Sequence, residues 1–405
     1  MIFKRILYAK IILNLSRNIT IMQINNLYSG QTDRLQTGIA WTIYFFINVI
    51  FCIKYNPFEI IHPLFLLVFY PLAVIGIYKA TVYMHIQRKN YFFLILTFAI
   101  LLLALFLWHH IDRWSVKVDR WSALAFWSEN LKNGRFPYET PSHLGGYPSP
   151  FPIWQLFHFP FYLMGDTAYG QLFCLLIFFI ALFYWRTKMN IGGIILLLVL
   201  SPGFWWEIAV RSDLLSNMLL LFVFLTALFY CSSFWDKHKI LTSAITGFFL
   251  CTRLFVAIPL FLYLFPRFLK YSTKEKIGLT LMVIACFVIP FSPFLFGEHG
   301  ILHHPEYNPI ILQIRQGNGW VFAAGVVLLI IAALKWKNMR NMYFMAGLFL
   351  FTLVLARGVK IGLEDGWHSA LFGPRFDKSY FNVCIPFFLF FIHVFSTRDA
   401  EGRHA

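Results

Sequence analysis

Charged side chains are scarce in this sequence. Only 13% of its 405 residues are Asp, Glu, Lys or Arg, against about 25% in ordinary soluble domains. Hydrophobic residues make up 59%, and the mean hydropathy is +0.66. A soluble domain of this length needs a polar surface that so few charges cannot cover. The composition therefore excludes a soluble globular protein, a disordered chain and a disulfide scaffold, and it predicts an all-α polytopic membrane protein.

Sequence signals of several other classes are absent as well. The six cysteines all lie inside apolar runs and none forms a CxxC pair, so no disulfide framework or zinc site is expected. Residues 1–38 contain no apolar run long enough for a signal-peptide core. Their alternation of basic and aliphatic residues predicts an amphipathic segment on the cytoplasmic leaflet. No internal repeat is visible, which weighs against transporters built from duplicated halves.

Apolar runs divide the rest of the sequence into about twelve predicted membrane crossings. We interpret residues 39–396 as one transmembrane helical bundle, preceded by the 1–38 segment and followed by a short cytoplasmic tail, residues 397–405. Some of the runs are short and need protein neighbours around them rather than lipid. Two of the short runs form a predicted hairpin with Arg253 at its tip. The predicted crossings are 39–53, 60–78, 91–108, 168–185, 191–202, 214–234, 240–252, 254–266, 277–296, 319–334, 342–356 and 379–396.

The positions of the basic residues predict how these crossings are oriented. With the N terminus inside, the segments that face the cytoplasm hold 21 Lys/Arg and 5 Asp/Glu, and the outer segments hold 13 of each. The whole net charge of +16 then lies on the cytoplasmic side, in agreement with the positive-inside rule. The basic excess is thus a topology signal rather than a surface for nucleic acid. Both termini are predicted to lie in the cytoplasm, with the protein in a plasma (inner) membrane.

One predicted outer loop, residues 109–167, is far longer than the others. Tryptophan and aliphatic residues recur in it at three- to four-residue steps, which predicts an amphipathic surface helix over residues 114–132. Asp119 lies early in this helix, close to the outer end of a crossing. Asp112 comes seven residues earlier and would share nearly the same helix face. Carboxylates at a membrane face are candidates for proton transfer, with helix capping or plain solvation as the alternative.

Five elements of this loop occur in the order and spacing of a known family. They are Asp119, the helix that runs to Lys132, Gly134-Arg135-Phe136-Pro137-Tyr138, Tyr147-Pro148-Ser149-Pro150-Phe151-Pro152, and Pro160 in the apolar segment that follows. Over about 50 residues the loop resembles the first extracytoplasmic loop of GT-C glycosyltransferases, most of all the branch that uses polyprenol-phosphate-mannose. The resemblance implies a GT-C-like fold with catalysis on the extracytoplasmic face.

The sequence departs from the family pattern at two positions. Ser149 interrupts the expected Pro-Pro, and Arg120 follows Asp119 where metal-using members carry a second acid. The resemblance therefore implies an enzyme that needs no metal or other cofactor. Its co-substrate would be a polyprenyl-phosphate-linked sugar, with mannose as the sugar that the branch suggests, and its acceptor a glycan or a lipid.

Residue roles follow from this chemistry. Asp119 is the predicted general base of an inverting transfer, and Asp112 is a candidate second acid. Cations that hold the donor phosphate are predicted among the outward-facing basic residues. Arg253 stands out because it lies between short apolar segments, although a structural ion pair with Asp213 or Glu207 would explain it equally well. The predicted phosphate ligands are Arg253, Arg211, Arg375 and Lys378, and the predicted acceptor residues of the loop are Tyr138, Tyr147 and His143.

Other functions remain open at this point. A polysaccharide polymerase or ligase of cell-envelope assembly tends to carry its large outer loop late in the chain, whereas here it comes early. A lipid or glycan transporter would favour repeats and ionisable residues in mid-span. A cluster of His299, His303, His304 and Glu306 could bind a metal, but Gly300 and Pro305 argue against a regular helix there, so an interfacial loop is the better interpretation.

Overall fold

The computed structural model describes residues 34–55, 62–86, 90–185, 191–314, 319–336, 338–373 and 375–392. Within these ranges all regular secondary structure is helical and there is no strand, which confirms the all-α prediction. Most of the predicted N-terminal segment and the whole predicted C-terminal tail lie outside the described residues. The helices are α1 Arg34–Lys54, α2 Pro63–Tyr83, α3 Asn90–His110, α4 Arg120–Lys132, α5 Pro152–Leu163, α6 Tyr169–Tyr184, α7 Gly192–Val199, α8 Pro202–Ala209, α9 Leu214–Tyr230, α10 Ser232–Lys237, α11 Lys239–Leu250, α12 Ala257–Phe268, α13 Thr273–Leu295, α14 Pro309–Ile314, α15 Gly319–Lys335, α16 Met339–Asp365 and α17 Trp367–Phe372.

Several of these helices are able to span a membrane. Among the described residues five are long and apolar enough, namely α1, α2, α3, α13 and α16, and the bent pair α7–α8 raises the number to six. Other apolar helices are shorter, including α6, α9, α11 and a last segment, Lys378–Ile392. The chain is therefore a helical protein with several candidate membrane spans. The count of about twelve crossings stays a prediction.

Helices α7 and α8 are separated by a break after Leu200. Helix α7 ends at Val199 and α8 begins at Pro202, and the two axes differ by 68°. Ser201 caps α8, since its hydroxyl accepts a hydrogen bond from the Phe204 amide, and Pro202 suits the first helical position because its missing N–H has no partner there anyway. The break brings the buried carboxylate of Glu207 close to the start of α9.

The hairpin with Arg253 at its tip is also confirmed. A short 3-10 helix, Leu254–Val256, separates α11 from α12. The two helices run back alongside each other, because Lys239 at the start of α11 lies 4.4 Å from the ring centroid of Tyr271, just after α12. The same lysine pairs with Glu275 at 2.7 Å. We call residues 232–239 and 267–276 the basic end of the bundle.

Two boundaries differ from the prediction. Residues 111–119 form turns, and α4 begins only at Arg120, so Asp112 and Asp119 do not share a helix face. Trp121 and Trp127 of α4 are buried in protein rather than exposed at a membrane surface. At the other end of the chain, α16 continues to Asp365, so the first residues of the predicted outer loop 357–378 are helical.

Candidate functional site

The Arg120 side chain joins three distant parts of the chain. Its guanidinium donates hydrogen bonds to Asp377 at 2.5 Å and to the hydroxyls of Ser379 and Ser212 at 2.7 Å each. It also lies 3.7 Å from Glu207, and its plane covers the ring of Tyr380 at 5.0 Å. The large loop, the turn before α9 and residues 377–380 at the start of the last segment therefore meet at one end of the bundle. We call this the loop end.

The opposite charges of Arg120 and Asp377 stabilise each other. Burial favours the neutral form of Arg120, but the surrounding carboxylates, above all Asp377, raise its pKa above the ordinary arginine value. Burial likewise acts to raise the pKa of Asp377, and the Arg120 guanidinium overcomes this and lowers it. Both groups are thus charged at neutral pH, and the pair is a fixed electrostatic element of the loop end.

Asp119, the predicted base, lies immediately before Arg120 in the chain. It is half-buried, and its carboxylate accepts a hydrogen bond from the Ser142 hydroxyl at 2.7 Å. A tight turn, residues 142–146, folds over it: the Ser142 amide donates to the Gly146 carbonyl at 2.8 Å, and Gly145 has a φ of +84°, a conformation that glycine adopts without strain. The carboxylate does not cap α4, so helix capping does not account for it.

His143, a predicted acceptor residue, lies in the same turn. Its Nδ1 is 2.6 Å from the Ser122 hydroxyl, and its ring packs between Trp114 and Trp121. Ser122 in turn donates to the backbone carbonyl of Asp119 at 2.9 Å. The Nε2 atom of His143 is buried and makes no hydrogen bond within the structure. Ser122 therefore links the His143 ring to the backbone of Asp119, and the turn 142–146 supplies contacts to both residues.

Lys378 follows Asp377 directly in the chain. Its side chain is buried, and Nζ donates to the Gly373 carbonyl at 3.1 Å. Burial, together with the neighbouring ammonium of Lys54, lowers the pKa of Lys378 to about 7. Lys54 is the last residue of α1 and lies over the ring of Tyr55 at 5.1 Å. Two lysines side by side repel each other unless an anion joins them.

The other predicted phosphate ligands are engaged in ion pairs. Arg253 is buried and pairs with Asp213 at 2.5 Å, and the Trp154 indole donates to the same carboxylate oxygen at 2.5 Å. This is the structural ion pair that the sequence left as the alternative for Arg253. Arg211 pairs with Asp166 at 3.0 Å.

Two of the predicted phosphate ligands, Arg375 and Arg211, have different surroundings. Arg375 pairs with Asp365 and is exposed. Arg211 donates to the Trp108 carbonyl at 2.8 Å and has a φ of +56°, a strained conformation for a side-chain-bearing residue. Among the described residues no ion pair joins either guanidinium to Glu207 or Asp377 of the Arg120 junction.

The remaining predicted residues are Tyr138, Tyr147 and Asp112. Tyr138 is fully buried, and its hydroxyl donates to the Pro150 carbonyl at 3.2 Å, so it supports the loop rather than facing a substrate. Tyr147 is half-buried against Tyr307, with 5.8 Å between the ring centroids. Asp112 is exposed, accepts from the Trp114 amide at 3.2 Å, and lies in the turns before α4.

Sequence reasoning missed the central member of the site. Arg120 entered it only as a departure from the metal-binding pattern, and Asp377 and Lys54 were not singled out. Each is an ordinary loop or helix-end residue, and only the tertiary fold brings them together. Among the described residues no group of three or more His, Cys, Asp and Glu converges as a metal site would require, and the histidine-rich turn forms pairs instead, with His304 at 2.9 Å from Glu306 and His299 at 3.1 Å from Glu139.

Comparison with protein-family models, with curated proteins and with solved structures gives no match to this chain.

Proposed function

We propose that the protein is an integral-membrane glycosyltransferase of the GT-C type. It transfers a sugar from a polyprenyl-phosphate donor to a glycan or lipid acceptor at the loop end of the bundle, which is the extracytoplasmic face. Asp119 is the general base. Lys378 and Lys54 hold the donor phosphate, and neither a metal nor another cofactor takes part.

One observation carries this proposal. The Arg120–Asp377 ion pair joins two loops, and the residue next to each partner is one that the transfer needs: Asp119 beside Arg120 and Lys378 beside Asp377. A carboxylate base and a phosphate-binding cation are therefore anchored to the same fixed pair. Positioning of this kind lowers the barrier because the reacting groups need no further reorganisation.

The proposed transfer needs only the donor and the acceptor as reactants. The acceptor hydroxyl oxygen attacks the anomeric carbon from the face opposite the phosphate, and its proton passes to Asp119. The bond between the anomeric carbon and the phosphate oxygen breaks, and the bonding electrons leave with the polyprenyl phosphate. The two lysines stabilise the charge that collects on that phosphate. Configuration at the anomeric carbon inverts.

The ion pairs of Arg253 and Arg211 bear on which cations hold the donor phosphate. Arg253 and Arg211 each hold a carboxylate of the protein, so they are structural residues in this proposal. The Lys54 and Lys378 ammonium groups have no carboxylate partner within ion-pair distance among the described residues, and their mutual repulsion is relieved when a phosphate lies between them.

A direct assay tests the proposal. The purified protein is incubated with a panel of polyprenyl-phosphate sugars and candidate acceptors, and free polyprenyl phosphate is measured. Release that depends on acceptor and on Asp119 supports a transferase. Absence of release from every donor, for protein that is folded and binds donor, overturns it. In a parallel incubation with polyprenyl-diphosphate-linked glycans, release of polyprenyl diphosphate would instead identify a polymerase or ligase.

A transporter is the second candidate, and one observation favours it. Glu207 and Asp213 are buried carboxylates at a broken helix, a feature of ion-coupled transporters. Proteoliposomes distinguish the two functions, because a transporter moves its substrate across the bilayer with the glycosidic bond intact, whereas the transferase breaks that bond and moves nothing.

A further inference from the structure

A cavity of about 500 Å³ lies far from the proposed catalytic residues, between α9, α11, α12 and α13. Helix α11 lines it from Lys239 to Leu250 and α12 from Ala257 to Phe268, which corresponds to about 16 Å along each helix at 1.5 Å per residue. One leaflet of a bilayer has nearly the same depth, since the hydrocarbon core is about 30 Å thick. The cavity is thus an elongated groove that follows the helices through one leaflet.

The walls of the groove are apolar. Their aromatic and aliphatic side chains include Leu260, Phe261 and Leu264. The threonine hydroxyls of α11 are bonded to backbone carbonyls: Thr246 donates to Thr242 at 2.7 Å, and Thr242 donates to His238 at 3.3 Å. Such walls offer mainly apolar contact area to a ligand.

The deep part of the groove is closed by close helix packing. A β-carbon on Gly247 would lie 2.6 Å from the Val283 carbonyl oxygen, so α11 and α13 touch there. The outer surfaces of the same helices are lipid-facing, with Ile240, Ile277 and Leu281 each more than half exposed. The groove therefore lies in a surface that faces hydrocarbon and is reached from the basic end.

The mouth of the groove carries positive charge. Lys239, Arg267 and Tyr271 line it, together with one acid, Asp236. Lys239 is paired with Glu275, whereas the Arg267 guanidinium lies over the Tyr263 ring at 4.4 Å. The basic end as a whole has six Lys/Arg and two Asp/Glu, a net charge of +4. Basic clusters of this size at a membrane surface attract anionic lipid headgroups.

We propose that this groove binds one acyl chain of an anionic phospholipid, with the phosphate of the headgroup at Arg267. Apolar walls of one-leaflet depth fit the chain, and the positive mouth fits the headgroup. The lipid is not the sugar donor, because the groove opens at the basic end, whereas the Arg253 tip of the same hairpin meets Asp213 toward the loop end. The site is therefore independent of the proposed transferase activity.

Native mass spectrometry of the full chain tests this binding. The protein, released from detergent, is titrated with phosphatidylglycerol or with phosphatidylcholine of the same acyl chains. We expect one retained phosphatidylglycerol per chain and at least tenfold weaker retention of phosphatidylcholine. Arg267→Gln should remove most of this preference. Lys270→Gln is the matched control, since it removes the same charge from an exposed position that does not line the groove.

A second variant tests the groove itself. Ser243 lines the cavity, and Ser243→Phe should fill it and reduce retention of both lipids. Equal effects of Arg267→Gln and Lys270→Gln, equal retention of the two lipids, or unchanged retention in Ser243→Phe would each overturn the proposal. Should Arg267→Gln not fold, the comparison of the two lipids on the wild-type chain still tests the charge preference, and Ser243→Phe still tests the space in the groove.

Discussion

Gly146 lies so close to Asp119 that a β-carbon on the glycine would stand 2.5 Å from the Oδ2 atom of the carboxylate. Real β-carbons do not approach another atom so closely, so any other residue at position 146 would push the carboxylate away. The turn that contains Gly146 also supplies Ser142, which donates to the same oxygen at 2.7 Å. The turn thus fixes Asp119 by contact and by hydrogen bonding together.

Gly146→Ala should therefore reduce turnover while leaving donor binding nearly unchanged. The added methyl group displaces the Asp119 carboxylate, and small displacements of a reacting group cost on the order of 10²-fold in rate. The measurement is kcat and donor affinity of purified variants. Gly278→Ala is the control, because a β-carbon there meets nothing within 4 Å. Normal turnover of Gly146→Ala would show that this oxygen is not the reacting one.

Asp119→Asn should lower turnover by about 10²–10⁴-fold, the usual loss when a general base is removed. The amide keeps the size of the side chain and its contact with Ser142 but does not take up the proton. Asp112→Asn is the matched control, since Asp112 is exposed and bonds only to its own turn. A collapse of turnover in Asp112→Asn alone would move the base to the other carboxylate.

Arg253→Gln should mainly destabilise the protein. It leaves Asp213 charged and buried, and breaking a buried ion pair in this way typically costs about 3–5 kcal/mol. Asp213→Asn should cost a comparable amount, and the double variant less than the sum of the two, when thermal unfolding is followed in detergent. A stable Arg253→Gln protein that has lost donor binding would instead restore Arg253 as a phosphate ligand.

Donor binding should depend on pH through Lys378. Its pKa is lowered to about 7, so the ammonium form that attracts phosphate is fully present below that pH and is lost as the pH rises above it. We expect kcat/KM for the donor to fall above about pH 7, and Lys378→Arg to remove this fall because arginine stays charged. An unchanged profile in Lys378→Arg would assign the titration to another group.

The loop end should lie outside the cell membrane and the basic end inside. In a cysteine-free background, Leu144→Cys should react with a membrane-impermeant thiol reagent in intact cells, whereas Ser272→Cys should react only after the membrane is opened. Both positions are exposed in the structure. The reverse pattern would contradict the charge-based topology and with it the extracytoplasmic site.

Local sequence signals predicted the features that depend on short stretches of chain. Arg253 between two short apolar runs marked the hairpin, because the cause lies within a few residues of its effect. The predicted crossing 342–356 is shorter than α16, which continues through Arg357 and Lys360 to Asp365. In that part of α16 Gly358 packs against the Phe376 ring so closely that a β-carbon on the glycine would lie 2.9 Å from it, and this contact arises from the tertiary fold.

The candidate site depends on pairings that are remote in sequence. Asp119, Lys378 and His143 could be proposed from their types and positions, but the residues that hold them in place could not. Arg120 and Asp377 are 257 residues apart, and nothing near either residue predicts the other. Arg253 is a similar case. It pairs with Asp213 because the fold places that carboxylate beside it, and nothing near Arg253 in the sequence predicts this.

The Arg120–Asp377 pair also has a consequence for biosynthesis. Arg120 is made early, and its partner leaves the ribosome only when most of the chain has already been inserted. Until then Glu207, at 3.7 Å in the folded protein, is the nearer carboxylate in sequence, and the closest partner of the arginine is missing. The loop end therefore reaches its final arrangement only after residue 377 has been made, and a chain cut short before that residue would keep Arg120 without its 2.5 Å partner, a feature by which quality-control proteases could recognise it.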